Sequence, residues 1–112
     1  EQRIHTMIAD QNIMESMNEV NRKWPQGYDV VIDDGWHQPE ASVYTMIAFI
    51  PQLKKGGIYI LEDIDQKYRI FYENLAQIFH SSGYYAEYLD LPSYVPSTTS
   101  EYKYGVLVIE NI

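Results

Sequence analysis

Apolar residues in this chain follow two kinds of pattern. Tyr28–Ile32, Ile58–Leu61 and the centre of Tyr102–Glu110 are nearly unbroken apolar runs bounded by turn residues. Such runs suit strands that are buried on both faces. Between them, apolar residues recur at spacings of three and four, which predicts helices. Ile13, Met14, Met17 and Val20 follow Asn12, a residue type suited to capping a helix start. Val43, Met46, Ile47 and Ile50 follow Pro39, which fits a first helical turn. That helix is expected to end near Leu53, because Lys54, Lys55, Gly56 and Gly57 supply C-terminal charge and a left-handed cap. A third helix is predicted over 66–82, with Tyr68, Phe71, Leu75, Ile78 and Phe79 on one face and Gly83 as its stop. Ile4–Ala9 and Tyr84–Leu89 read as further strands.

The predicted order is β-α-β-α-β-α-β-β. Alternating elements imply an α/β domain with a mostly parallel sheet and right-handed crossovers. The last two strands have no helix between them and are expected to pair antiparallel. Their connection, Leu91–Ser100, is rich in Pro, Ser and Thr and is a candidate lid or binding loop. There is no repeat or linker, so residues 1–112 read as one domain.

Composition narrows the function. The net charge of −8 argues against nucleic acid as a steered partner. No apolar run approaches the length of a membrane span. The lack of cysteine excludes disulfides, thiolate metal sites and cysteine nucleophiles, and it fits a cytoplasmic setting. The chain begins at Glu1, almost directly on an apolar-polar run, which raises the expectation of a fragment of something longer.

Two apolar runs end in paired carboxylates: Asp33-Asp34, then Gly35-Trp36-His37, and Glu62-Asp63. Ligands of open α/β sheets bind beyond the carboxyl ends of the parallel strands, so these groups should crowd one rim. Four neighbouring carboxylates repel unless they are solvated, protonated or bridged by a cation. Oxygen ligands favour Mg²⁺ or Ca²⁺. Asp33 alone reads first as a turn cap. His37, three residues beyond Asp34, is a credible general base, since a reference pKa of about 6.5 suits proton abstraction at neutral pH. His5 and His80 have bland roles by position. Trp36 is either a pocket wall or a packed aromatic. Asp10-Gln11 either contacts a ligand or caps the first helix.

Taken together, Asp10-Gln11, Tyr28–His37, Ile50-Pro51-Gln52-Leu53 and Gly56–Asp63 resemble the C-terminal half of a class I S-adenosylmethionine (SAM)-dependent methyltransferase. The likeness is to the metal-dependent sugar O-methyltransferases of macrolide biosynthesis and their cephalosporin-hydroxylase-like relatives. It covers Ile4 to about Asp65 well and the remainder by element order. The family usually has Ser where this chain has Trp36. The resemblance implies that Asp34, Glu62 and Asp63 are divalent-metal ligands, with Asp33 in place of Asp34 as the alternative. It implies that His37 takes the proton from a substrate hydroxyl. It implies that Asp10 approaches the adenine of SAM, and Gln11 and Asp33 are counted with it as cofactor-binding residues.

The family's glycine-rich SAM loop has no counterpart before Ile4. The expectation is therefore a fragment lacking the N-terminal SAM-binding βαβ part, binding SAM weakly or not at all. It would belong to a Mg²⁺-assisted O-methyltransferase of small hydroxylated substrates and be inactive alone. The alternative is a divalent-metal-binding or assembly module without catalysis. Capping carboxylates on a small complete domain are a third reading. Because every predicted helix falls on one side of the sheet, a homodimer that buries the other side, or the open edge of the Tyr28–Ile32 strand, is expected.

Overall fold

The two internal apolar runs lie side by side. In the computed structural model, which describes residues 3–93 and 102–112, β1 (Tyr28–Asp33) and β2 (Leu53–Ile64) pair in parallel, with Val31 opposite Tyr59 and Asp33 opposite Leu61. Around them the chain runs α1 (Met14–Lys23), β1, α2 (Pro39–Phe49), β2, α3 (Arg69–Ser81), β3 (Tyr85–Ser93) and β4 (Tyr102–Glu110). The sheet order is β1-β2-β4-β3, and β4 runs antiparallel to both of its neighbours. The sheet is therefore mixed, with β1, β2 and β3 pointing one way. The fold class is α/β, as the alternating pattern implied.

The first expected strand is not formed. Residues 3–10 carry no regular structure, and Ile8 is 99% exposed. A strand exists through its ladder, and no described strand pairs with this segment. The order is thus α-β-α-β-α-β-β, not β-α-β-α-β-α-β-β. Asn12 does not cap α1: the N-cap position is Ile13, and Asp10 closes the turn by accepting the Asn12 N–H at 2.9 Å. Leu91–Ser93 complete β3, and the rest of the expected lid, residues 94–100, lies outside the described residues.

The helices bury one face of the sheet. Tyr59 and Leu61 of β2, with Leu107 and Ile109 of β4, meet Met46 of α2 and Tyr72 and Ala76 of α3. α1 packs on α2, where Asn21 Nδ2 donates to the Ala48 carbonyl at 2.8 Å. The buried helix faces are rotated from those expected. α2 buries Ala41, Ser42, Thr45 and Met46 and leaves Ile47 58% exposed. α3 buries Tyr72 and Ala76 and exposes Phe71 and Ile78. On the other sheet face Val30 and Ile32 are 55% and 58% exposed, while Ile58, Ile60, Val106 and Val108 are half-buried. No described helix is long and apolar enough to cross a membrane.

Candidate metal centre

β1 and β2 are parallel neighbours in register, so their carboxyl ends reach the same rim. Asp33 pairs with Leu61, which sets Asp34 level with the Glu62-Asp63 step. One ligand atom from each of Asp34, His37 and Asp63 lies within 4.8 Å of the others, and all three residues are exposed. Ligand atoms on opposite sides of one Mg²⁺ are roughly 4 Å apart, so Asp34 and Asp63 are within reach of a single cation, with the His37 ring beside it. Two carboxylates leave further positions open for water or substrate oxygen.

The second half of the rim is shaped by backbone. The β2–β4 register shifts between Leu61 and Ile64, and Asp63 sits at φ 55, in the left-handed region. Simple alternation would turn Asp63 toward the core and Ile64 away from it. The bulge reverses this, returning Ile64 to the core and leaving Asp63 exposed. Left-handed geometry is costly for most residues and milder for Asp and Asn. Glu62 is not in the three-residue group. It is half-buried and lines a narrow crevice with His37, Asp63 and Tyr72.

Asp33 and Asp34, adjacent in sequence, have opposite surroundings. Asp33 is 6% exposed. Its Oδ1 accepts from Gln11 Nε2 at 2.9 Å and the Gly35 N–H at 3.1 Å, and its Oδ2 accepts from the Tyr59 hydroxyl at 3.1 Å. Burying a carboxylate is costly unless its oxygens accept hydrogen bonds, and both oxygens of Asp33 do. Burial, then the Asp33 charge, pushes the Tyr59 phenol well above its ordinary value. Asp33 is thus a built-in acceptor, and Asp34 is the carboxylate that faces His37 and Asp63. Gln11 also donates to Thr45 Oγ1 at 2.8 Å and accepts the Trp36 N–H at 2.7 Å. Asp10, Gln11 and the exposed Trp36 line an open hollow with Ile8 and Ser16. Trp36 is therefore a wall residue, not a core aromatic.

Sequence reading missed Thr45, Tyr59 and Gly35. Thr45 and Tyr59 lie in apolar-looking stretches, and no local signal places them within reach of Asp33. The Asp-Gly step was legible only as a turn.

Known proteins resemble this chain in sequence and in fold. A stretch of 64 residues, 57% of the chain, is 38% identical to demethylmacrocin O-methyltransferase of Streptomyces fradiae, covering 16% of that protein. A 64-residue stretch is 36% identical to mycinamicin VI 2''-O-methyltransferase of Micromonospora griseorubida, again covering 57% of the chain and 16% of the relative. The crystal structure of MycE methyltransferase from the mycinamycin biosynthetic pathway, in complex with Mg and SAH, superposes with a TM-score of 0.66 at 23% identity, covering 99% of this chain and 33% of that one. Its complex with Mg, SAH and mycinamycin VI gives 0.65 at 22% identity, covering 99% and 32%. These likenesses show a methyltransferase fold, of which this chain spans about a third of the solved relative's length. No protein-family model matches the chain.

Proposed function

We propose that this chain carries the metal and base half of a SAM-dependent, Mg²⁺-assisted O-methyltransferase acting on a small hydroxylated substrate. The observation that carries the reading is the convergence of Asp34, His37 and Asp63 at the carboxyl ends of β1 and β2. It is supported by the sugar O-methyltransferases that the chain resembles and by the Mg and SAH held in the solved relative. Asp34 and Asp63 would hold the cation, with Glu62 beside them as the third carboxylate. When bound, the cation would orient and acidify the acceptor hydroxyl, and SAM would supply the methyl group. His37 Nδ1 or Nε2 takes the hydroxyl proton as the oxygen becomes the nucleophile. Asp10, on the wall of the hollow beside Trp36, stays on the cofactor side. The chain is proposed to be inactive alone.

Calorimetric Mn²⁺ titration tests the site. Wild-type protein should bind, and Asp34→Ala and Asp63→Ala should not. His37→Gln should keep most of the Mn²⁺ affinity. If it loses binding as completely as the aspartate variants, His37 is a ligand and not the base. Transfer from labelled SAM by the purified chain alone would refute its inactivity.

The non-catalytic assembly reading draws on a different observation, the half-exposed apolar sheet face around Val30, Ile32, Ile58 and Ile60. Self-association as a two-fold dimer through that face or the open β1 edge is part of the proposal. A monomer mass by light scattering at micromolar concentration would remove it.

A further inference from the structure

Every hydrogen-bonding group of the Gln11 amide is used inside the protein. Nε2 donates to Asp33 Oδ1 at 2.9 Å and to Thr45 Oγ1 at 2.8 Å, while Oε1 accepts the Trp36 N–H at 2.7 Å. Chemistry allows only this orientation, because a carboxylate accepts and a backbone N–H donates. The three partners belong to the end of β1, the buried face of α2 and the loop that follows β1. Gly35 makes room for the amide, since a Cβ at residue 35 would collide with Gln11 Oε1.

The loop held this way is the one that carries half the candidate site. Trp36 lies between Asp34 and His37, and the neighbouring Gly35 N–H is tied to Asp33 Oδ1 at 3.1 Å. Two successive backbone N–H groups are therefore anchored to one hydrogen-bonded pair, half-buried Gln11 and buried Asp33. We infer that Gln11 is a positioning residue: it locks the 34–37 loop so that Asp34 and His37 stand opposite Asp63. This rests on the metal reading above. Gln11 acts on the cation only through the loop, by ordering it before binding. Removing such outer partners of a metal site typically weakens affinity by about 10–100-fold.

Gln11→Met keeps the length of the side chain and deletes all three bonds. Gly35→Ala reaches the same end differently, by expelling the amide, and it serves if Gln11→Met does not fold. Amide hydrogen exchange by NMR and Mn²⁺ titration are measured on both variants and on the double variant. The Trp36 amide should exchange at least about tenfold faster while amides of β2 and β4 keep their protection. The Mn²⁺ dissociation constant should rise about 10–100-fold in each single variant. The double variant should be little worse than either, because both changes remove the same set of Gln11 bonds. A residue serving stability alone would speed exchange throughout and leave the affinity of the folded protein unchanged. Wild-type protein that binds Mn²⁺, with Trp36 exchange or Mn²⁺ affinity unaltered in the variants, overturns the inference by itself. Wild-type protein that takes up no Mn²⁺ overturns the metal reading and this role with it.

Discussion

The two strand ends that meet at the candidate site are held by different means. At the end of β1, side chains do the holding: Asp33, Gln11, Thr45 and Tyr59 form one bonded network, and the loop hangs from it. At the end of β2, backbone does the holding: a shifted register and a left-handed Asp63 turn one carboxylate outward. The first device costs buried polar groups that must all stay satisfied. The second stores a small strain in a single residue. The difference teaches that equivalent carboxylates on one rim need not respond alike to mutation.

Breaking the bonded end should have the largest effect. Asp33→Ala leaves Gln11, Gly35 and Tyr59 with donors and no acceptor, and should destabilise the fold by about 3 kcal/mol in urea unfolding. The adjacent Asp34→Ala, at an exposed position, should change stability by less than about 0.5 kcal/mol. Equal losses in the two would dissolve the contrast between these neighbours.

Tyr59→Phe removes one bond of the same network and should cost about 1.5 kcal/mol. It should also alter the alkaline limb. Burial and the Asp33 charge raise the folded Tyr59 pKa, so the unfolded chain gives up that proton first. Stability conferred by the protonated phenol is fully present below about pH 10 and declines as pH rises above it. Urea midpoints taken across that range should fall less steeply in Tyr59→Phe than in wild type.

The strained end predicts the opposite sign. Asp63→Gly should gain up to about 1 kcal/mol by relieving the left-handed backbone, while losing Mn²⁺ binding. Asp63→Asn should be near neutral in stability, and Asp63→Val should lose stability. A destabilised Asp63→Gly would mean that the carboxylate, not the backbone, pays for its own placement. The smallest effect is expected away from both ends. Ile32→Glu on the open sheet face should stay within about 0.5 kcal/mol of wild type by unfolding, and should reduce any self-association seen by light scattering.

The sequence by itself determined the three helices, four of the five expected strands, the bounds of β4, and the rim that the carboxylates share. Unbroken apolar runs, helical spacing and glycine stops are local signals, and parallel strands send their carboxyl ends to one side. That is why Asp33, Asp34, His37, Glu62 and Asp63 could be assigned to one rim, from which the fold groups Asp34, His37 and Asp63 and leaves Glu62 beside them. Tertiary structure decided what local pattern does not encode. Residues 3–10 have strand-like alternation, yet they form no strand because a ladder needs a partner. α2 turns Ser42 and Thr45 inward and Ile47 outward, and Thr45 Oγ1 meets the Gln11 amide there, a partner 34 residues away that apolar spacing does not encode. Asp33 and Asp34 look interchangeable in sequence. Only the crossing of α2 and the approach of Gln11 and Tyr59 buried one and left the other free, since those contacts join residues 11, 33, 45 and 59 that no local spacing relates.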